Sequence, residues 1–196
     1  MATVRREAFL DPELRYAAYR DSAIPIADGQ TMSQPFVVAR MTELLHVAPG
    51  DRILEVGTGS GYQAAVLATI GAVVRSIERH PRLARLARER LAGEGIGGVE
   101  VITGDGSAGD PEGAPWSGII VTAAAPIVPP SLPSQLAIGG RLVVPVGPRG
   151  EQELVVVERR GPDDWFTETD GAVVFVPLLG EQGFPDSEAD TGHSIG

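Results

Sequence analysis

The chain has 196 residues, which at roughly 100–200 residues per domain predicts one domain with a core large enough to need no covalent staples. Hydrophobic residues make up 43% and charged residues 21%, and no apolar run approaches the roughly 20 residues of a membrane span, which argues against a transmembrane role. The absence of cysteine excludes disulfides, thiol nucleophiles and thiolate zinc sites, and the formal charge of −10, from 26 acidic and 16 basic residues, argues against a nucleic-acid partner. Three scattered histidines (His46, His80, His193) suggest no metal cluster. The opening MATVRREAFLDPE has no apolar export signal, so the expected location is the cytoplasm. Chemistry must then come from hydroxyls, carboxylates or a cofactor.

In chain order, the first patterned segment is IPIADGQTMSQPFVVARMTELLHV. Its helical periodicity runs through Val37, Met41, Leu44 and Leu45, with Ser33 placed to serve as an N-cap. From Arg52 onward, short β-branched runs alternate with helical patterns, the signature of βαβ units around a parallel sheet. Strands are expected at 52–56, 73–77, 99–103, 118–122 and 141–146, the last after a Gly139-Gly140 turn. Helices are expected at about 62–70 and from Pro81 through Leu83, Leu86 and Leu91. Six arginines between Arg75 and Arg90 at helical spacing read as a solvated outer face. Residues 153–159 and 172–176 are strand-like without an intervening helix, which predicts an antiparallel addition at the sheet edge. The expected fold is therefore α/β, a doubly wound, mostly parallel, Rossmann-like sheet with an antiparallel C-terminal edge. A single domain is expected over 1–180, with an N-terminal segment and helix over 1–50 ahead of the sheet and its edge strands over 51–180. An acidic, disordered tail is expected over 181–196.

The clearest chemical signal is Leu54-Glu55-Val56-Gly57-Thr58-Gly59-Ser60-Gly61-Tyr62, a glycine-rich loop between the first strand and a helix. Glycine permits the sharp turn and lets a ligand approach the backbone. The spacing is G-x-G-x-G, with Tyr62 where a dinucleotide fingerprint needs its last glycine, and no G-K-[ST] follows for a triphosphate. S-adenosyl-L-methionine fits better. Gly57, Gly59 and Gly61 form its loop. Glu55 is placed to accept from the ammonium group, Glu78 at the end of strand 2 to take the ribose hydroxyls, and Asp105 at the end of strand 3 to meet the adenine amino group.

These residues, with Gly29-Gln30-Thr31-Met32-Ser33-Gln34-Pro35, Gly104-Asp105-Gly106, Ile119 to Ala124 and Phe175-Val176-Pro177-Leu178, resemble the protein-L-isoaspartate O-methyltransferase family from about Arg5 to Leu178. The G-x-T-x-S-x-P segment discriminates, because generic methyltransferases share the glycine loop but not this stretch. The resemblance implies methylation of the α-carboxylate of L-isoaspartyl residues in damaged proteins and peptides, with S-adenosyl-L-methionine as methyl donor. It also implies Ser33 as the active-site residue, Thr31 and Ser33 as substrate-binding residues, and Asp105 and Gly106 as adenine contacts. Two departures stand out: the helical region usual ahead of Arg5-Arg6-Glu7-Ala8-Phe9 is not seen, and Trp116-Ser117 stand where many relatives read Phe-Asp. The alternative is a related enzyme that methylates an aspartate of a dedicated, ribosomally made precursor peptide to give an aspartimide, with the same site residues. A non-catalytic binding module is disfavoured by the intact Ser33, Glu55, Glu78 and Asp105. A nucleic-acid methyltransferase is disfavoured by charge and by the lack of an N-P-P-Y-like tetrapeptide.

Overall fold

A computed structural model describes residues 3–185. Two short 3₁₀ turns, Arg6–Phe9 and Pro12–Ala17, precede a small hairpin of β1 (Ile24–Pro25) and β2 (Thr31–Met32). Then come α1 (Pro35–Leu44), β3 (Arg52–Val56), α2 (Tyr62–Ile70), β4 (Val73–Glu78), α3 (Pro81–Gly93), β5 (Val99–Thr103) and β6 (Trp116–Val121). The short α4 (Ser131–Ser134) leads into β7 (Leu136–Val146), β8 (Gln152–Arg159) and β9 (Trp165–Val173).

The seven-stranded sheet has the order β5-β4-β3-β6-β7-β8-β9. Pairing is parallel from β5 through β7 and antiparallel for β7–β8 and β8–β9, so the expected doubly wound sheet with an antiparallel edge is present. After β3 the chain winds outward through β4 and β5, then returns to the other side of β3 as β6. That reversal is the switch point where open α/β sheets take ligands beyond their strand ends, and the glycine loop leaves β3 there.

Alternation along the strands divides the core between the two sheet faces. Ile53, Val74, Ile120, Val143 and Val156 pack with Val37 and Met41 of α1 and Leu67 of α2. Leu54, Val56, Ile119, Val121, Leu142 and Val144 face Leu132 of α4 and Leu178. A third cluster joins Phe9, Leu10 and Ile24 to Tyr62, Val66, Ala84 and Leu91, tying the N-terminal turns to α2 and α3. Among the described residues no helix is long and apolar enough to cross a membrane.

Four local expectations change. Gly139-Gly140 is not a turn ahead of a strand; both lie inside β7, where the pairing with β6 shifts between Trp116 and Gly118. Gly139 takes φ +87°, and a Cβ on Gly140 would lie 2.8 Å from the Ser117 carbonyl oxygen. The second edge strand is Trp165–Val173 rather than 172–176. Beyond Val173 the apolar run leaves β8: Ala124 N–H donates to Val176 O and Leu178 N–H to Ala124 O. Ser33 is not an N-cap, because Pro35 starts α1 and Gln34 takes that position without a side-chain cap bond. Finally, residues 181–185, assigned on composition to a tail, turn back onto the domain, with Phe184 buried and paired to Leu179. The rest of that expected tail, 186–196, lies outside the described residues.

Candidate active site

The loop after β3 forms a cradle at the switch point. Gly57 at φ +96° and Gly59 at φ +53° turn the backbone where L side chains are strained, and both border a cavity of about 490 Å³. The loop is pinned on both flanks: Gly57 N–H donates to Ile77 O at 2.8 Å, and Thr122 N–H donates to Val56 O at 2.9 Å. The Thr122 hydroxyl donates to Gly57 O as well. Thr122 follows β6 directly and lines the cavity, a role that its place at the end of an expected strand did not reveal.

Glu78, at the end of β4, also lines the cavity. Its carboxylate accepts from Gly59 N–H at 2.8 Å and from His80 N–H at 2.9 Å. One bond per oxygen leaves lone pairs for hydroxyl donors of a ligand. Gly106 borders the same space, where a Cβ would lie 2.9 Å from Val56 Cγ1.

Three of the expected cofactor residues do not border the cavity. Glu55 is wholly buried behind the loop, where the Ser76 hydroxyl donates to its Oε2 and Oε1 has no partner among the described residues. Thr58 and Ser76 oxygens are 2.5 Å apart. Since Ser76 gives its proton to Glu55, Thr58 donates to Ser76, and the chain Thr58–Ser76–Glu55 runs from the cradle into the sheet. Burial pushes the Glu55 carboxyl up to about 8, helped by the negative charge of Glu78 and opposed by the Ser76 hydrogen bond. With no exposed surface and no place in the cavity lining, Glu55 does not stand where the expected direct contact with an ammonium group would need it. Gly61 at φ +89° is the N-cap of α2, and a Cβ there would meet Ala87 Cβ at 3.2 Å, so it serves helix packing. Asp105 accepts from Ser107 N–H at 2.8 Å and from Glu181 N–H at 2.9 Å, and so anchors the C-terminal turn. Burial works against its ionisation, but these N–H donors win and hold it below the ordinary carboxylate range.

Thr31 and Ser33 lie where two spaces meet. Both border the cradle cavity and also an adjoining groove of about 830 Å³, lined by Phe36, Val37, Glu151, Glu153 and Phe175 among others. The β1–β2 hairpin and the start of α1 carry them there, and Gln152 steadies the far wall by accepting from Phe175 N–H at 3.0 Å. Sequence reasoning missed Tyr62 and Met41 as cavity walls because each reads as an ordinary core residue in a helix. No group of metal-ligating side chains occurs among the described residues.

This geometry agrees with three comparisons. The family model described as Protein-L-isoaspartate(D-aspartate) O-methyltransferase matches residues 1–183. The chain is 52% identical over 185 residues to Protein-L-isoaspartate O-methyltransferase 2 of Pelobacter propionicus, covering 94% of this chain and 82% of that one. A solved protein-L-isoaspartate O-methyltransferase superposes with TM-score 0.82 at 30% identity, covering 92% of this chain, which spans 60% of that longer one. A Plasmodium falciparum structure titled as a putative protein-L-isoaspartate O-methyltransferase in complex with S-adenosyl-L-homocysteine has the same fold, with TM-score 0.78 at 24% identity and coverage of 89% and 85%. None of these favours the peptide-tailoring alternative. The chain belongs to the protein-L-isoaspartate(D-aspartate) O-methyltransferase family, whose members are S-adenosylmethionine-dependent carboxyl O-methyltransferases.

Proposed function

We propose that this protein methylates the α-carboxylate of L-isoaspartyl residues in peptides and proteins, with Ser33 orienting the acceptor. The observation that carries the reading is the junction at Thr31 and Ser33, where a cavity sized for a small ligand meets a groove sized for a peptide. About 490 Å³ falls within the roughly 300–1,000 Å³ of small-molecule sites. Gly57, Gly59 and Gly106 bring bare backbone to that cavity, and Glu78 brings acceptor oxygens, so the residues fit S-adenosyl-L-methionine. When bound, it supplies a methyl group on a positively charged sulfur that is already a good leaving group.

The protein's own contribution is positioning. An acceptor carboxyl with a pKa near 4 is ionised at neutral pH, so no strong general base is needed. Neither buried carboxyl in the neighbourhood is asked to take a proton. Ser33 Oγ donates to one oxygen of the acceptor and leaves the other free to react in line. Thr31 borders the same junction and restricts how the peptide backbone enters. Closure of the methyl ester to a succinimide, and its hydrolysis, need no enzyme.

The test is methyl transfer from labelled S-adenosyl-L-methionine to two peptides that differ only in Asp or isoAsp. The isoAsp peptide is expected to be methylated and its partner not, because a misplacement of about 1 Å costs on the order of 100-fold. Better transfer to the Asp peptide would replace repair by the aspartate-modifying alternative. Ser33→Ala is expected to lower turnover roughly 10- to 100-fold at saturating cofactor, the effect of one hydrogen bond to a charged group. Since Ser33 caps no helix, melting temperature should stay unchanged.

A further inference from the structure

Arg6 lies in the first 3₁₀ turn, yet its side chain is only 1% exposed. Its Nε donates to Ala18 O at 2.7 Å and its Nη2 to Ser33 O at 2.6 Å. The guanidinium carbon sits 4.8 Å from the centre of the Tyr62 ring, and Nη1 is buried without a partner among the described residues. Both of these acceptors are main-chain carbonyls rather than carboxylates, so the charge is not neutralised by them. A buried cation held this way is costly, and a neutral apolar side chain would pack the same site at lower cost. Arginine is the side chain whose fixed fork can hold two separate acceptors while its face lies on an aromatic ring.

What it holds is informative. Ser33 and Tyr62 both border the cradle cavity, and Ser33 also borders the groove. The guanidinium therefore sits directly behind the wall at which cavity and groove join. A peptide unit is planar and trans, so holding the Ser33 carbonyl inward also sets the direction of the Gln34 N–H, which points the opposite way. Ser33 precedes α1 and sits just after β2, in a stretch with no regular ladder of its own to define it. The bond from Arg6 supplies that definition.

We propose that Arg6 is a positioning residue for methyl transfer: its guanidinium, clamped on Tyr62, fixes the Ser33 main chain and so the Ser33 hydroxyl, and places positive charge behind the site that receives an anionic acceptor. This rests on the reading of Ser33 given above. Lysine at this position keeps the charge but has a single head group, which cannot span Ala18 O and Ser33 O as a fork does. Glutamine keeps one donor and removes the charge.

The experiment is a cycle of parent, Arg6→Lys, Ser33→Ala and the double variant, with Arg6→Gln alongside. Turnover and KM are measured on an isoaspartyl peptide at saturating S-adenosyl-L-methionine, with S-adenosyl-L-homocysteine affinity and melting temperature on the same preparations. Arg6→Lys is expected to lower kcat on the order of tenfold, within the range for an acceptor misplaced by less than about 1 Å, and to leave product affinity within about twofold of the parent because its hydrogen bonds go to Ala18 O and Ser33 O, not to the glycine loop or Glu78, and an ammonium can still rest on the Tyr62 ring. In the Ser33→Ala background the same change should cost little more, since there is no hydroxyl left to position. Arg6→Gln should lose more than Arg6→Lys and also raise KM for the anionic peptide. Parental turnover in Ser33→Ala would sink the Ser33 reading and this proposal together. A defect in Ser33→Ala combined with parental turnover in both Arg6 variants, or with fully additive losses, would overturn the proposal alone. So would loss of the cooperative melt in both Arg6 variants even with S-adenosyl-L-homocysteine present, which would make Arg6 a residue of the fold only.

Discussion

The hydroxyl of Thr122 fills the space that a side chain on Gly57 would need: a Cβ built on Gly57 lies 2.6 Å from Thr122 Oγ1. The two residues directly follow the neighbouring parallel strands β3 and β6, and their contact closes the cradle at the switch point of the sheet.

Gly57→Ala therefore meets two penalties, a clash with Thr122 and a φ of +96° that L residues avoid at roughly 1–2 kcal/mol. Thermal melts should show a clear loss of stability, and calorimetry a loss of S-adenosyl-L-homocysteine binding. Adding Thr122→Ala should recover part of the stability by removing the clash, while the backbone penalty remains. Full recovery in the double variant would mean that φ at this position carries no cost.

Glu78→Ala is expected to weaken S-adenosyl-L-homocysteine binding by about 1.5–3 kcal/mol, the size of a lost hydrogen bond to a charged group. The substitution also releases the N–H groups of Gly59 and His80, so the loop loses its tie to β4. Glu78→Gln should fall between parent and Ala, since an amide keeps one acceptor oxygen. Parental affinity in Glu78→Ala, measured by calorimetry, would remove this carboxylate from the ligand site.

Glu55 predicts a pH dependence. Its folded pKa, raised to about 8 by burial, exceeds the value of about 4.3 expected in the unfolded chain. The folded state then holds a proton that the unfolded state has lost, so this group's stabilising contribution is complete below about pH 4.3 and is lost as pH rises through about 8. Glu55→Gln mimics the protonated form and keeps an acceptor for Ser76. Its melting temperature should fall less than the parent's between pH 5 and pH 8. Identical slopes for the two proteins would show that Glu55 titrates alike in both states.

The C-terminal turn separates two truncations. Glu181 N–H bonds to Asp105, Gln182 N–H to Ser107 Oγ at 3.0 Å, and the Gln182 amide to Ser131 Oγ at 2.6 Å. Removing 186–196 should leave turnover on isoaspartyl peptides unchanged. Removing everything from Glu181 onward should weaken cofactor affinity, because Asp105 loses a donor and the neighbouring Gly106 wall loses support. Equal affinity of both truncated proteins would limit the turn to a role in folding.

Much of this is legible in the amino-acid sequence alone, for local reasons. Strand and helix periods are set by side-chain alternation, so β3 to β5, α2 and α3 were readable within a residue or so, and the G-x-G-x-G loop announced its turn through glycine alone. That Glu78 borders the cavity is legible because ligand sites of open α/β sheets lie at the carboxyl ends of the parallel strands near the switch point. Other features depended on partners distant in the chain. Whether Glu55 meets ligand or core depends on the face of β3 and on Ser76 across the sheet, and Asp105 was claimed by Glu181 through a turn with no apolar pattern to announce it. Gly139-Gly140 looked like a turn because both residues are flexible, yet neighbouring backbone at Ser117 decided that they lie within a strand. Arg6 gives the sharpest contrast. Composition marks it as a surface charge, since arginine is almost never buried. Only the packing of the first turn against Tyr62 and the Ser33 carbonyl takes it inside, because a guanidinium leaves water only where a specific tertiary arrangement replaces the hydrogen bonds that water gave it.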